Sequence, residues 1–274
     1  MFGAVATPAS AEDILLSVEP LPDPGILRIA TGMNYSRGDY GATGATEIIS
    51  VPFSLRYSRG PLIVGVSVPY VQLDGPGSLV EVGDVATVAG GAVGIAGAPS
   101  AGIDVVPGAM RRDTRGFGDV VLSASYGLVL DDGLYLDLAG KLKLPTASRR
   151  KRLGTGETDL TALVDLTKDF GDVAVYGEAR RRFSKIGGNS LLRDVWGFTV
   201  GFSMPVSTRL DVGVDYDWQQ ASVRGLPPIS EITGWSNIYL GDRLRLQVYG
   251  TTGFNDNSVD IAAGVGLSWR FEID

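Results

Sequence analysis

The feature that most constrains this chain is a long alternation near its C-terminus. Val259, Ile261, Ala263, Val265, Leu267, Trp269 and Phe271 occupy odd positions, and Asp260, Ala262, Gly264, Gly266, Ser268 and Arg270 the even ones. Period-two patterning puts one set on each face of a strand. Strands in soluble domains are commonly about 5–6 residues long. A longer strand with one apolar and one polar or small face, ending in Trp and Phe, fits lipid on one side and water on the other.

The same period recurs in segments 26–36, 46–58, 61–73, 117–130, 134–145, 157–168, 172–184, 194–205, 208–221, 230–241, 243–254 and 258–273. Leu62, Val64, Val66, Val68 and Tyr70 share one face of the third segment. Leu210, Val212, Val214, Tyr216 and Trp218 share one face of the ninth, with Asp211, Asp215 and Asp217 opposite. Burying such charges without partners in a dry sandwich would cost several kcal/mol each. A wet lumen removes that cost and turns the apolar face to lipid. The expected fold is all-β, a transmembrane antiparallel up-and-down barrel of about twelve strands. Residues 74–115 form its long loop between strands three and four.

Connection lengths alternate as well. Short turns are expected at Arg59-Gly60, Asp131-Asp132-Gly133, Asp169-Phe170-Gly171, Val206-Ser207 and Asp242. Longer loops are expected at 37–45, 74–116, 146–156, 185–193 and 222–229. Outer-membrane barrels pair short periplasmic turns with longer external loops, so both termini are expected on the periplasmic side. Tyr35, Tyr70, Trp196, Phe198 and Trp218 fall near the expected outer rim, and Tyr57, Tyr126, Trp269 and Phe271 near the inner one, as in the interfacial girdles of such barrels.

Composition narrows the chemistry. The 274 residues contain neither cysteine nor histidine, which excludes disulfides, thiolate or imidazole metal ligands, and catalysis through histidine. The net charge of −7 argues against nucleic acid as a partner. No catalytic residue, metal site or cofactor is assigned. Residues 1–11, ending in Pro8-Ala9-Ser10-Ala11, resemble the end of a secretory signal. Residues 12–25 are expected to precede the barrel as a periplasmic segment, and 26–274 to form a single barrel domain.

Gly116-Phe117-Gly118-Asp119, Lys143-Leu144-Pro145-Thr146 and Leu153-Gly154-Thr155-Gly156-Glu157-Thr158-Asp159 carry a family resemblance. They are similar to the outer-membrane family named for the meta-pathway of phenol degradation, with its K-x-P-T hairpin followed by L-G-[ST]-G-x-x-D. The motifs cover residues 116–160. The resemblance implies an outer-membrane channel for small, often hydrophobic or aromatic molecules, in a Gram-negative envelope. Trp269-Arg270-Phe271 resembles the C-terminal signal read by outer-membrane assembly machinery, although Glu272-Ile273-Asp274 extends beyond it.

Alternation directs Lys141, Lys143, Asp159, Arg180 and Arg182 into the outer half of the lumen. They form either an electrostatic filter or a ladder of ion pairs that stiffens the wall, the commoner arrangement. Asp211, Asp215, Asp217, Arg245 and Arg270 are further lumen candidates. Asp215 and Asp217 lie about 7 Å apart along the strand at its ~3.4 Å rise, a spacing open to hydrolysis or hard-cation binding. In the long loop, Val85, Val88, Val93, Ile95 and Ile103 belong to an apolar, glycine-rich stretch. Such a stretch suits a gate inside the mouth, a mobile external loop or a contact with a neighbouring protomer. Arg149-Arg150-Lys151-Arg152 suits lipopolysaccharide phosphates or simple solvation. Three other classes remain open: a barrel that passes or anchors a polypeptide, a barrel hydrolase, and a soluble sandwich.

Overall fold

The computed structural model describes residues 25–81, 104–108, 110–184 and 192–273. Its strands are β1 (Gly25–Gly38), β2 (Thr46–Arg59), β3 (Leu62–Gly75), β4 (Ser78–Glu81), β5 (Asp104–Val106), β6 (Arg112–Phe117), β7 (Val120–Asp131), β8 (Leu134–Leu144), β9 (Asp159–Asp169), β10 (Ala174–Phe183), β11 (Val195–Ser207), β12 (Leu210–Gln219), β13 (Ile229–Tyr239), β14 (Leu244–Gly253) and β15 (Ile261–Ile273). β4 and β5 form a small sheet of their own, and the other thirteen form one antiparallel sheet. In it β1 pairs with both β2 and β15, so the sheet closes on itself. β6 and β7 both pair with β3 and occupy one position in the ring. The result is a closed barrel of twelve strands with no free edge.

Why these segments are strands is plain from which residues they hide. Outward positions are apolar and bare: Met33 is 52% exposed, Val200 56% and Val265 43%. The alternate positions, among them Asn34, Ser36, Asn237 and Ser268, are buried inside. This inversion of the soluble pattern marks a surface solvated by hydrocarbon. Aromatics band the exterior: Phe198 lies 5.9 Å from Trp218, and Tyr70 meets Phe117 edge-on at 5.4 Å. No helix among the described residues is long and apolar enough to cross a membrane, which says nothing against crossing by strands.

Most boundaries agree with the alternation to within two or three residues. Three details differ. The turn expected at Val206-Ser207 falls at Thr208-Arg209, because β11 runs on to Ser207. The fourth strand starts earlier, at Arg112, and is interrupted at Gly118-Asp119. There Gly118 N–H still bonds Pro69 O at 2.8 Å, while the extra residue turns Asp119 into the lumen. Finally, Gly25 is the first residue of β1.

The lumen is a packed interior over much of its length. Two aromatics lie directly on glycines of the facing strand: Trp235 opposite Gly213, and Tyr249 opposite Gly264. A Cβ on either glycine would come within 2.3 Å of the ring. Only glycine lets these rings lie flat on the wall. Nearer the long-loop end, Tyr40, Ile48, Val71, Leu73, Val105 and Leu153 belong to one buried apolar cluster. The barrel therefore carries an apolar collar inside its long-loop end.

Candidate functional site

The three segments singled out by motif converge on one buried ion cluster. Lys143 on β8 and Asp159 on β9 are cross-strand partners and form an ion pair. Asp119, turned inward by the bulge, stands 3.8 Å from the same ammonium. Thr155 Oγ1 accepts from Lys143 Nζ at 3.3 Å. Asp119 also accepts from the Ala147 N–H at 2.8 Å, and Thr146 Oγ1 accepts from the Val120 N–H at 2.9 Å. Leu153 and Ala147 are buried beside it. The hairpin sequence is thus a set of cap groups and ion partners that ties the β8–β9 loop onto the interrupted fourth strand.

Arg180 and Arg182 on β10 are likewise engaged. Arg180 bonds both carboxylate oxygens of Asp217, at 2.8 and 2.7 Å, and reaches Glu178 at 3.1 Å and Thr199 at 2.9 Å. Arg182, 4% exposed, pairs with Asp104 of β5, and Ser222 bonds both. β10 stands four ring positions from β3, where the long connection leaves the wall. The base of that connection therefore crosses the mouth instead of standing above it, with Asp104 and Val105 buried. Arg152 clamps the near side by donating to the carbonyls of Gly75, Pro76 and Met110 at 3.0, 2.8 and 3.2 Å. Burial and the nearby Arg112 lower the Arg152 pKa. Val85, Val88, Val93, Ile95 and Ile103 lie outside the described residues.

The other candidates are spread through the lumen. Lys141 faces inward on β8, opposite Ser123 and Thr161. Asp215 accepts from the Tyr176 hydroxyl, Asp217 is held by Arg180, and Asp211 accepts from Tyr239 at 2.7 Å. Each aspartate thus has its own partner: Tyr239 on the adjacent β13 for Asp211, and Tyr176 and Arg180, reaching across β11 from β10, for Asp215 and Asp217. No group of three or more acidic side chains placed to hold a metal occurs among the described residues. Arg245 and Arg270 lie at the short-turn end. Sequence reasoning missed their companions Arg28 and Arg56, whose Cα register puts Arg56, Arg28 and Arg270 side by side. The signal was available only as single inward arginines on three segments adjacent in the ring.

At the long-loop rim the basic run is divided in its work. Arg149 and Arg150 are exposed, Lys151 Nζ donates to Arg115 O at 3.0 Å, and Arg152 is spent on the clamp. Arg111 pairs with Asp74 at 2.7 Å, and that hydrogen bond raises its pKa. Tyr40, almost fully buried, donates to Ser36 Oγ at 3.1 Å; burial pushes its pKa well up.

No protein-family model matches the chain, and no curated protein matches it. Solved structures do. The COG4313 outer membrane channel from Pseudomonas putida F1 superposes with a TM-score of 0.59 at 14% identity, over 93% of this chain and 98% of that one. The KdgM porin gives 0.50 at 10% identity, over 89% and 99%. A structure of that porin in complex with disordered oligogalacturonate also gives 0.50, over 90% and 99%. At such identities the likeness establishes the fold: this chain is built on the closed barrel shared by outer-membrane channels.

Proposed function

We propose that the chain is a passive outer-membrane channel for small molecules, a member of the family named for the meta-pathway of phenol degradation. Its long-loop end faces outward and both termini face the periplasm. The observation that carries this reading is the base of the β3–β6 connection. It crosses the mouth of a charge-lined lumen and adds Val105 to an apolar collar with Leu73 and Leu153. A greasy collar above a polar passage suits solutes that are small and partly apolar, because it removes apolar surface from water on entry. The solved channel and porin neighbours support passage, among them the KdgM porin in complex with disordered oligogalacturonate.

The apolar exterior meets lipid, exposed Arg149 and Arg150 reach lipopolysaccharide phosphates, and the Trp269-Arg270-Phe271 ending is offered to the assembly machinery. The test is single-channel recording on the purified barrel, before and after residues 78–106 are replaced by a short glycine linker. Discrete conductance that rises on shortening the connection is expected. A shortened barrel that folds and never conducts overturns the channel reading and leaves an anchoring role.

A further inference from the structure

We infer that Arg181 heads a lipid-facing binding site for a phosphorylated glycolipid of the lipopolysaccharide type, with a phosphate on the guanidinium and an acyl chain along the wall beneath it. This deepens the outer-membrane reading and rests on its outward placement of the long-loop end. Arg181 is the direct partner of Trp196 on β11 and of Ala162 on β9. Direct partners point to one face, and both of these are exposed on the outer wall. Arg181 therefore stands on the face that meets lipid, while Arg180 and Arg182 beside it turn inward. An arginine on that face is tolerated near the headgroups and costly deeper in the bilayer. Arg181 lies two residues from the long-loop end of β10, beside Trp196 of the outer girdle.

Its surroundings orient the guanidinium without enclosing it. Cζ lies 5.0 Å from the centre of the Trp196 ring and 5.2 Å from that of Phe183, within reach of cation–π attraction. Asp194 is its ion partner at 3.7 Å, and the two side chains remain 38% and 31% exposed. That separation is too long for a hydrogen bond, and an exposed pair of this kind contributes little. Asp194 Oδ1 also accepts from the Ser184 N–H at 3.2 Å. The charge of Arg181 is thus balanced, but loosely. A phosphate takes two parallel hydrogen bonds from one guanidinium and outcompetes such a partner. Trp196 stacks on Phe198 at 6.3 Å, and Phe198 meets Trp218 at 5.9 Å, which gives the sugar rings of a headgroup a flat apolar surface on that side.

On the other side of Arg181 the wall is grooved. Ala162, Gly140 and Ala124 follow it as successive cross-strand partners on β9, β8 and β7. Leu160, Leu142 and Leu122 line the groove toward the long-loop end, and Val164, Leu138 and Tyr126 line it toward the short-turn end. A Cβ on Gly140 would meet nothing closer than Thr161 O at 3.9 Å, so the floor is open. The row starts near the rim at Arg181 and reaches Ala124, four residues inside β7. It descends from headgroup level into the hydrocarbon, as an acyl chain does. Free phosphate would use the arginine alone; a lipid uses arginine and groove together.

The test is native mass spectrometry of the full chain in detergent, titrated with bisphosphorylated lipid A, the same lipid stripped of phosphate, phosphatidylglycerol and inorganic phosphate. Lipid A is expected to bind about tenfold more tightly than its dephosphorylated form, and more tightly than the other two probes. Arg181→Gln should abolish the preference for phosphate, and Arg181→Lys should keep part of it. Asp194→Asn, which removes the competing carboxylate, should tighten lipid A. Gly140→Leu, which fills the groove, should weaken both forms of lipid A. Equal affinity for the two forms, or a folded Arg181→Gln indistinguishable from the parent, overturns the site. So does phosphatidylglycerol or inorganic phosphate binding as tightly as lipid A. Orientation is read separately, by labelling Arg149→Cys on intact cells with a membrane-impermeant maleimide, since the chain has no cysteine of its own. Labelling supports the outward placement. Lipid A bound to a chain that is not labelled defeats the orientation and leaves the site standing.

Discussion

Two charged regions of this lumen handle positive charge in opposite ways. At the long-loop end Lys143 sits between Asp119 and Asp159, with 8% of its side chain exposed, and every element around it is tied to another. At the short-turn end Arg28, Arg56 and Arg270 stand beside one another and remain in contact with the lumen. The first region spends charge on holding a loop to a wall. The second sets like charges side by side on the lumen wall, with Glu272 3.3 Å from Arg270. A buried ion pair gains little over an apolar pair but costs much when one partner is removed, whereas a half-exposed row of like charges gives back a little stability when thinned. Charge count alone does not separate structural from functional side chains in a barrel; the identity of the cross-strand neighbour does.

The sharpest way to break the comparison is Lys143→Met. It strands two buried carboxylates, and the expected loss is about 3–5 kcal/mol in denaturant unfolding from micelles. A loss below about 1 kcal/mol would show that the cluster is wet and no different from the arginine row. Next is Arg152→Ala, which leaves the carbonyls of Gly75, Pro76 and Met110 without their donor. About 1–3 kcal/mol is expected, together with noisier open-channel current as the base of the connection loosens.

Tyr40→Phe removes one hydrogen bond, worth about 1 kcal/mol at neutral pH. Its more telling effect is alkaline. Burial holds the folded phenol protonated after the unfolded one, near pH 10, has begun to ionise. The stability from this group is therefore complete below about pH 10 and is lost as pH rises above it. The variant should show a shallower alkaline decline than the parent, measured as the midpoint of unfolding against pH. Smallest is Arg28→Gln, expected to change stability by less than about 1 kcal/mol and in the favourable direction, while shifting the reversal potential in a salt gradient.

The strands were legible because lipid and water impose opposite demands on alternate residues, an alternation sustained from Ile261 to Phe271; Val259, expected outside, instead precedes β15 and is buried in the internal apolar cluster. The ion cluster was half legible. Lys143 and Asp159 stood out by motif, but Asp119 enters the lumen only because the fourth strand breaks at Gly118, which a period-two reading runs straight through. Arg182 falls within an expected strand, yet its partner Asp104 lies 78 residues earlier in the chain, within a stretch that reads as loop. The arginine row was hidden for a related reason. Arg28 and Arg56 are unremarkable in their own segments; they meet across the β1–β2 pair, and Arg270 joins them only through the pairing of β1 with β15. Register over that span depends on closure of the whole ring.

Closure has a consequence for how the molecule is made. β1 and β15 hydrogen-bond along nearly their full length, from Gly25 opposite Ile273 to Arg37 opposite Ile261. The first strand synthesised therefore waits for the last, and a chain cut short before Ile261 has two open edges and no way to hide either from hydrocarbon. Such a sheet has no stable partial form in a bilayer. The arginine row has the same dependency, because Arg270 arrives with the final strand. The basic side of the passage is complete only when the wall around it is.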